Sequence, residues 1–391
     1  MYKPSVIIAD FETALTDGSP SVEYYRHDFR AVSCAFAWRG KEGELKTHCT
    51  WGEEDTRAYL AKIQRSEIPA VAHNLPFDYG VAKCRFPGLE SIFQICTMRL
   101  TQMTDNGGPE HLDHEETWED ALLDLEGKKP FNGLSLQAAV SRFCGTEYFK
   151  HKQPYLDLMI QRGGGKADFH LLTQEELTEY NVKDAEVTLV LYENLTKILK
   201  DRSIDWTRDH VLYRSRSELT VAAKIRGVKV DSAQVNDHIE LKKSNLDTIV
   251  CNFREALKPH IERIEQRKLD AYIGEYKSKA GRDRAQARID AGSEPLVKFN
   301  LSSNKDKTAL FVEELGLTPK FFTPTGEPSF GAKLLWQWGE SGLLLKDLGK
   351  ERISLNQVET LKELSSYDGR WHLDMKVVGA RSGRLAGGSN A

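Results

Sequence analysis

Two acidic residues near the amino terminus follow a short apolar run in a pattern that suits metal binding. In residues 5–13, SVIIADFET, the carboxylates of Asp10 and Glu12 are separated by Phe11 alone. Because side chains alternate along a β-strand, both carboxylates point to one face and Phe11 points to the other. Oxygen ligands of this kind hold Mg²⁺ or Mn²⁺. The spacing does not identify a site by itself, since it also begins at Asp113, Asp124 and Asp184.

A third carboxylate is expected at the start of a helix. Residues 71–78, VAHNLPFD, predict a strand that breaks at Asn74 and a helix that begins near Pro76, which leaves Asp78 in the first helical turn. Purely structural roles for these residues remain alternatives. Asp78 could serve only the helix dipole, and Asn74 could be an ordinary turn residue.

The fourth carboxylate lies one helical turn from a tyrosine. Tyr180 and Asp184 in YNVKD are four residues apart, so a helix places the phenol and the carboxylate on one face, where they can share a water. A buried structural tyrosine is the alternative interpretation.

The elements around these residues predict an α/β domain. Strands are expected at 5–9, 31–38, 70–72 and 92–98, and helices at 53–65, after Phe77, at 134–145 and at 174–199. Thr173 and Glu176 predict a capping box at the last helix. The polar, acidic residues 101–130 are expected to form an exposed insertion with little regular structure.

After residue 201 the pattern becomes mainly helical. Apolar residues recur at helical spacing after a cap at Asp231, and that helix is expected to stop at Pro259. Residues 263–288 contain eight Lys/Arg against four Asp/Glu and predict an exposed, mobile helical hairpin. Such a run is either a solvated face or an element that binds a nucleic-acid backbone.

Composition sets the broad class. The 391 residues are 40% hydrophobic, enough for two or three domains. Residues 1–200 hold 31 acidic and 22 basic side chains, and residues 201–391 hold 27 and 32, so the halves carry −9 and +5. The six cysteines form no C-x-x-C pair, which favours a reducing cytoplasm over a disulfide or zinc framework. With no signal peptide or membrane span apparent, a soluble cytoplasmic monomer is expected.

The order of the three elements resembles the three motifs of the DEDDy exonucleases, in particular the proofreading domain of family-A DNA polymerases. The matching positions are Asp10 and Glu12, then Asn74, Phe77 and Asp78, then Tyr180 and Asp184.

The resemblance also implies a role for each residue. It makes Asp10, Glu12, Asp78 and Asp184 the ligands of two Mg²⁺ or Mn²⁺ ions, with Asp10 as the bridging ligand. Tyr180 and Glu12 would orient the attacking water. Thr13, Asn74 and Phe77 would contact the single-stranded DNA 3′ end.

The second half resembles the start of a family-A polymerase domain. The segments are residues 225–231, 299–303, 315–317, TPTGEPS at 323–329 and ARSGRL at 380–385, where Arg384 matches an arginine near primer-template and incoming nucleotide. No Asp-Tyr-Ser-type or His-Asp-Glu-type palm motif occurs in the sequence. We therefore expect a piece of a longer polymerase, from which only exonuclease activity is expected.

The resulting prediction is an α/β fold. A ribonuclease-H-like exonuclease domain (1–200) is followed by a mainly helical thumb (201–320) that holds primer-template DNA and by an incomplete palm (321–391). The compact layout suggests a bacteriophage source and a host-cytoplasm location. A free-standing DEDDy exoribonuclease and an inactive exonuclease fold used as a DNA-binding module remain the alternatives.

Overall fold

The computed structural model describes residues 3–19, 21–105, 134–145, 152–164, 168–276, 278–291, 298–377 and 385–387. Residues 106–130 of the expected insertion and Arg384 lie outside this part of the chain. The chain divides into two compact units, here called the α/β unit (Met1–Val228 with His372–Ala391) and the helical unit (Lys229–Trp371).

The α/β unit is built on a mixed sheet of five strands. These are β1 Ile7–Leu15, β2 Phe29–Arg39, β3 Leu45–Trp51, β4 Ala70–Ala72 and β5 Phe93–Cys96, in the spatial order β3-β2-β1-β4-β5. Strand β2 runs antiparallel to both β1 and β3, while β4 runs parallel to β1 and β5. Strand β1 is therefore the central strand, and its alternate side chains reach opposite faces of the sheet.

Helices cover both faces of this sheet. They are α1 Gly52–Arg65, α2 Leu75–Arg85, α3 Thr97–Asp105, α4 Leu136–Phe143, α5 Gln153–Gln161, α6 Gln174–Asp201 and α7 Thr207–Arg226, with 3₁₀ turns at Glu90–Ile92 and Phe169–Leu171. Ile7, Ala9 and Phe11 of β1 pack in one core with α1 and α2. Ile8 packs in the other core with α6. The alternation expected for β1 is confirmed.

Several boundaries differ from the sequence-based expectation. Strand β1 does not end at Ala9, as expected, but continues to Leu15, because β2 pairs with it from Ile8 to Leu15. Residues Thr101–Asp105, expected in the exposed insertion, extend helix α3, and Thr101 and Thr104 are buried. In this unit, strand β3 and helices α3, α5 and α7 were not predicted, and Thr97 and Met98, expected in a strand, begin α3. The capping box of Thr173 and Glu176 at α6 is confirmed.

The helical unit packs around its own apolar core. Its helices are α8 Ser232–Ala256, α9 Lys258–Gly274, α10 Lys279–Asp290, α11 Asn304–Thr308 and α12 Gly339–Leu364, with a π-helix at Ala309–Glu314 and a 3₁₀ helix at Ala332–Trp338. Asp231 caps α8 as predicted, accepting the backbone N–H groups of Ala233 and Gln234. Phe253, Phe311 and Trp338 lie at the centre of the core.

Short strands complete the fold. They are β6 Val228–Lys229, β7 Arg370–Trp371, β8 Met375–Lys376 and β9 Ala386–Gly387, and β8 pairs antiparallel with β9. In the part of the chain that the structure describes, no helix combines the length and apolar character needed to cross a membrane.

Candidate metal centre

Strand β1 and helix α6 bring three carboxylates together. Ligand atoms of Asp10, Glu12 and Asp184 all lie within 4.8 Å of one another. Asp10 and Glu12 share the face of β1 that α6 covers, and the pairing register with β2 shifts between Glu12 and Thr13. Residues 174 positions apart in sequence therefore converge on one point, as the motif order predicted.

Helix α6 is fixed over the sheet by polar contacts. The amide Nδ2 of Asn181 donates to Oγ of Ser33 at 2.9 Å, and Ser33 is the β2 residue paired with Glu12. Nearer the start of the helix, Nε1 of Trp51 donates to Oγ1 of Thr178 at 3.0 Å. These contacts set the rotation of α6, so its face with Tyr180 and Asp184 is directed at β1.

Asp78 reaches the same region from helix α2. Its Oδ1 accepts the backbone N–H of Phe11 at 3.4 Å, which ties the first turn of α2 to the strand between Asp10 and Glu12. The residue is only 3% exposed. Asp78 thus lies beside the three-carboxylate cluster rather than within it.

A lysine that no sequence motif predicts reaches into the cluster. Lys152, directly before helix α5, places its Nζ 2.5 Å from Oδ2 of Asp184 and 3.0 Å from Oη of Tyr180. Met159 of α5 is buried with Leu177 and Tyr180, so this helix packs against α6 and holds Lys152 in place. Nothing in the local sequence HKQPYL marks Lys152, because its role depends on a contact 32 residues away.

The electrostatics show a site with excess negative charge. Burial, reinforced by the charge of Asp184, raises the pKa of Asp10 to about 7. Burial and the neighbouring carboxylates Asp10 and Asp184 raise the pKa of Glu12 well above its ordinary value. For Asp78 the raised pKa comes from burial and from Asp10, against the opposing N–H bond from Phe11. Groups that resist ionisation in this way favour a nearby cation.

The same carboxylates also raise the pKa values of Lys152 and Tyr180. Burial disfavours the ammonium of Lys152, yet the attraction of Asp184, Asp10 and Glu12 outweighs it and raises the pKa of Lys152. Burial and the same carboxylates raise the pKa of Tyr180, so its phenol stays protonated and can donate a hydrogen bond.

The expected substrate-binding residues lie around β1 and α2, apart from Arg384, which is outside the described residues. Oγ1 of Thr13 donates to the carbonyl of Ser21 at 2.8 Å. Asn74 is exposed directly before α2, and Phe77 of α2 lies with its ring centroid 6.3 Å from that of Tyr24. Their part in binding DNA stays a prediction.

Comparison with known proteins gives a structural relative and no sequence relative. Protein-family models and curated proteins show no match to the sequence. Among solved structures, the POL domain of Pol1 from M. smegmatis, solved in complex with DNA primer-template and dNTP, is similar with a TM-score of 0.52 and 14% identity. The similarity covers 99% of this chain and 51% of that one. The chain thus has a DNA-polymerase-like fold and spans about half the length of that domain.

Proposed function

We propose that this chain is part of a family-A DNA polymerase and that its α/β unit removes nucleotides from DNA 3′ ends as a proofreading exonuclease. The observation behind the proposal is the convergence of Asp10, Glu12 and Asp184 within 4.8 Å, with Tyr180 on the same helix face as Asp184. Two-metal phosphodiester hydrolysis uses anionic metal ligands, and a neutral hydrogen-bond donor can orient its attacking water.

The donor set fits hard divalent cations. Carboxylate oxygens suit Mg²⁺ or Mn²⁺, and the raised pKa values of Asp10 and Glu12 indicate that positive charge would be favourable here. Asp10, Glu12 and Asp184 would hold two such ions, and Asp78 would support one of them through water. When bound, the ions would help a water ionise and would stabilise the attacking and leaving oxygens.

The protein's own groups orient the reactants. The protonated phenol of Tyr180 donates a hydrogen bond to the attacking water or to the phosphate, and a free oxygen of Glu12 accepts one from the water. Tyr155 and Phe169 flank the Tyr180 ring at centroid distances of 5.6 and 5.2 Å, which limits its rotation. A fixed donor of this kind lowers the entropy lost on reaching the transition state.

The sheet supports a ribonuclease-H-like assignment for this unit. Its order β3-β2-β1-β4-β5, with three antiparallel strands followed by parallel ones, places the carboxylates on the central strand. We propose this assignment, together with the domain limits 1–200, 201–320 and 321–391, as part of the same hypothesis. A monomeric, phage-encoded enzyme of the host cytoplasm remains the expected setting.

The helical unit is proposed to hold duplex DNA by its phosphates. Within residues 263–288, two arginines of α9 already form ion pairs inside the helical unit. Arg263 and Arg267 pair with Glu314 at 2.6 and 2.9 Å. Helix α10 presents exposed basic residues instead, namely Lys279, Arg282 and Arg284. Phosphate binding and its salt dependence are therefore expected to depend on α10. DNA synthesis remains a proposal for the whole polymerase.

The test is metal-dependent digestion of a 5′-labelled single-stranded DNA. We expect a ladder of products shortened from the 3′ end, which EDTA stops and Asp10→Ala abolishes. Glu54→Ala, which removes an exposed carboxylate of α1, is the matched control and should cut normally. Unchanged digestion by Asp10→Ala would rule out this site.

The same assay separates the two alternatives. Preference for a matched RNA oligonucleotide would favour an exoribonuclease instead. DNA binding without any hydrolysis would favour an inactive binding module.

A further inference from the structure

Lys152 occupies a position in the carboxylate cluster that a cation would otherwise take. Its Nζ contacts both Asp184 and Tyr180, at 2.5 and 3.0 Å, and the lysine side chain is only 19% exposed. A lysine placed this deeply costs side-chain entropy and desolvation, which the neighbouring carboxylates offset. The contact is therefore a built part of the site and not a casual surface pair.

The ammonium and a metal ion need the same atom. Oδ2 of Asp184 accepts the short hydrogen bond from Lys152, and Asp184 is one of the three carboxylates whose ligand atoms converge. A +2 ion close to an ammonium is repelled by it, so both cannot share Asp184 without loss of energy. The second contact of Lys152, to the phenol oxygen of Tyr180, involves no metal ligand.

We propose that Lys152 is a positioning residue of this site that acts as an internal counter-ion, releasing Asp184 when a divalent cation binds while keeping its hydrogen bond to Tyr180. In the ion-free site, Lys152 holds Asp184 and Tyr180 in their working geometry. After the exchange, its ammonium still donates to Oη of Tyr180, which keeps the phenol O–H directed away from Lys152. Only the role of the retained Tyr180 hydrogen bond rests on the proposed exonuclease function; the exchange at Asp184 does not.

Metal affinity tests the exchange without any reference to activity. Mn²⁺ binding, measured by calorimetry or electron paramagnetic resonance, is expected to be about tenfold tighter for Lys152→Met than for the wild type, because the competing ammonium is gone. Lys152→Arg keeps the positive charge and should bind Mn²⁺ like the wild type. Unchanged affinity in Lys152→Met, or equal tightening in Lys152→Arg, would overturn the exchange.

The variant Lys183→Met provides the matched control. Lys183 precedes Asp184 on the same helix but pairs with Glu186 at 2.9 Å, so Lys183→Met should leave Mn²⁺ affinity unchanged. Circular dichroism of each variant verifies that the helix content of the protein is unchanged. If Lys152→Met does not fold, Lys152→Gln, which removes the charge but keeps a polar side chain, takes its place.

A double-mutant cycle tests the link to Tyr180. Lys152→Met is expected to lower kcat for 3′-end removal about tenfold, and adding Tyr180→Phe should cause no further loss than Tyr180→Phe alone. Multiplying losses would show that Lys152 does not act through Tyr180.

The exchange at Asp184 and the exonuclease function can be tested separately. If the wild type binds Mn²⁺ through Asp184, so that Asp184→Asn abolishes binding, but shows no nuclease activity, the exonuclease assignment is wrong. The exchange is then judged by the Mn²⁺ affinities alone. A wild type that binds no Mn²⁺ defeats both.

Discussion

Each unit of the molecule buries a lysine–aspartate pair of nearly the same geometry. In the α/β unit, Nζ of Lys152 lies 2.5 Å from Asp184, and in the helical unit Nζ of Lys268 lies 2.6 Å from Asp306. The aspartate side chains are 5% and 6% exposed. By local contact alone the two pairs are equivalent.

Their surroundings make them different. Oδ2 of Asp306 also accepts the backbone N–H of Asn300 at 2.8 Å, and the ammonium of Lys268 donates to the carbonyl of Lys298 at 2.9 Å. That pair is balanced in charge and tied to the backbone. Asp184 instead shares one ammonium with Asp10 and Glu12. A balanced buried pair supports structure, whereas an unbalanced one leaves a place for a further cation.

The largest difference is expected in catalysis. Asp184→Asn should lower the rate of metal-dependent 3′-end removal by about a thousandfold, since it removes a ligand charge from the proposed metal site. Asp306→Asn makes the same chemical change in the helical unit and should keep the rate within about threefold. Rates are measured on single-stranded DNA under saturating Mg²⁺. Equal losses in the two variants would show that the contrast is not functional.

The second contrast concerns rescue by metal. Lys268→Met should cost about 3 kcal/mol of unfolding free energy because it strands a buried carboxylate, and Mg²⁺ should not restore it. Lys152→Met also removes a buried partner, but there a divalent cation can replace the ammonium. Urea unfolding with EDTA and with Mg²⁺ distinguishes the two. A helical unit rescued by Mg²⁺ would contradict this assignment of structural and functional roles.

Much of the framework could be predicted because its signals are local. The capping box at Thr173, the Asp231 cap and the alternating faces of β1 all depend on residues close in sequence. The end of β1 could not be predicted, since the strand continues through polar residues only because β2 pairs with it. Helix α3 likewise extends into a polar stretch because Thr101 and Thr104 are buried there and donate to the carbonyls of Thr97 and Leu100.

In the site, too, some residues could be predicted from local sequence and others could not. Asp10, Glu12 and Asp184 could be proposed from spacing and order, and their ligand atoms lie together in the structure. Lys152 could not, because it has no motif of its own and reaches Asp184 only through the packing of α5 on α6. Charge balance in a site is a tertiary property, which a linear pattern does not contain.

The excess charge should appear as a pH-dependent stability of the ion-free protein. The pKa of Asp10 is about 7 when folded, above the ordinary 3.8 of an unfolded chain. The folded state therefore binds the proton more strongly between these values, so this group's stabilisation is present at low pH and is lost as pH rises through about 7.

Asp10→Asn removes this dependence. In EDTA, the variant should gain on the order of 2 kcal/mol over the wild type at about pH 8 and little at about pH 4. Urea unfolding of both proteins across this range cancels the contribution of other titrating groups. A constant difference between the two proteins would mean that Asp10 ionises normally in the folded state.

The smallest effect is expected where a similar pair lies in solvent. Lys183 pairs with Glu186 at 2.9 Å, but the lysine side chain is 44% exposed and water screens the attraction. Lys183→Met should therefore change the unfolding free energy by only about 0.3 kcal/mol, with or without Mg²⁺. A loss comparable to that of Lys268→Met would show that contact distance, rather than burial and charge balance, determines what a lysine–carboxylate pair contributes in this protein.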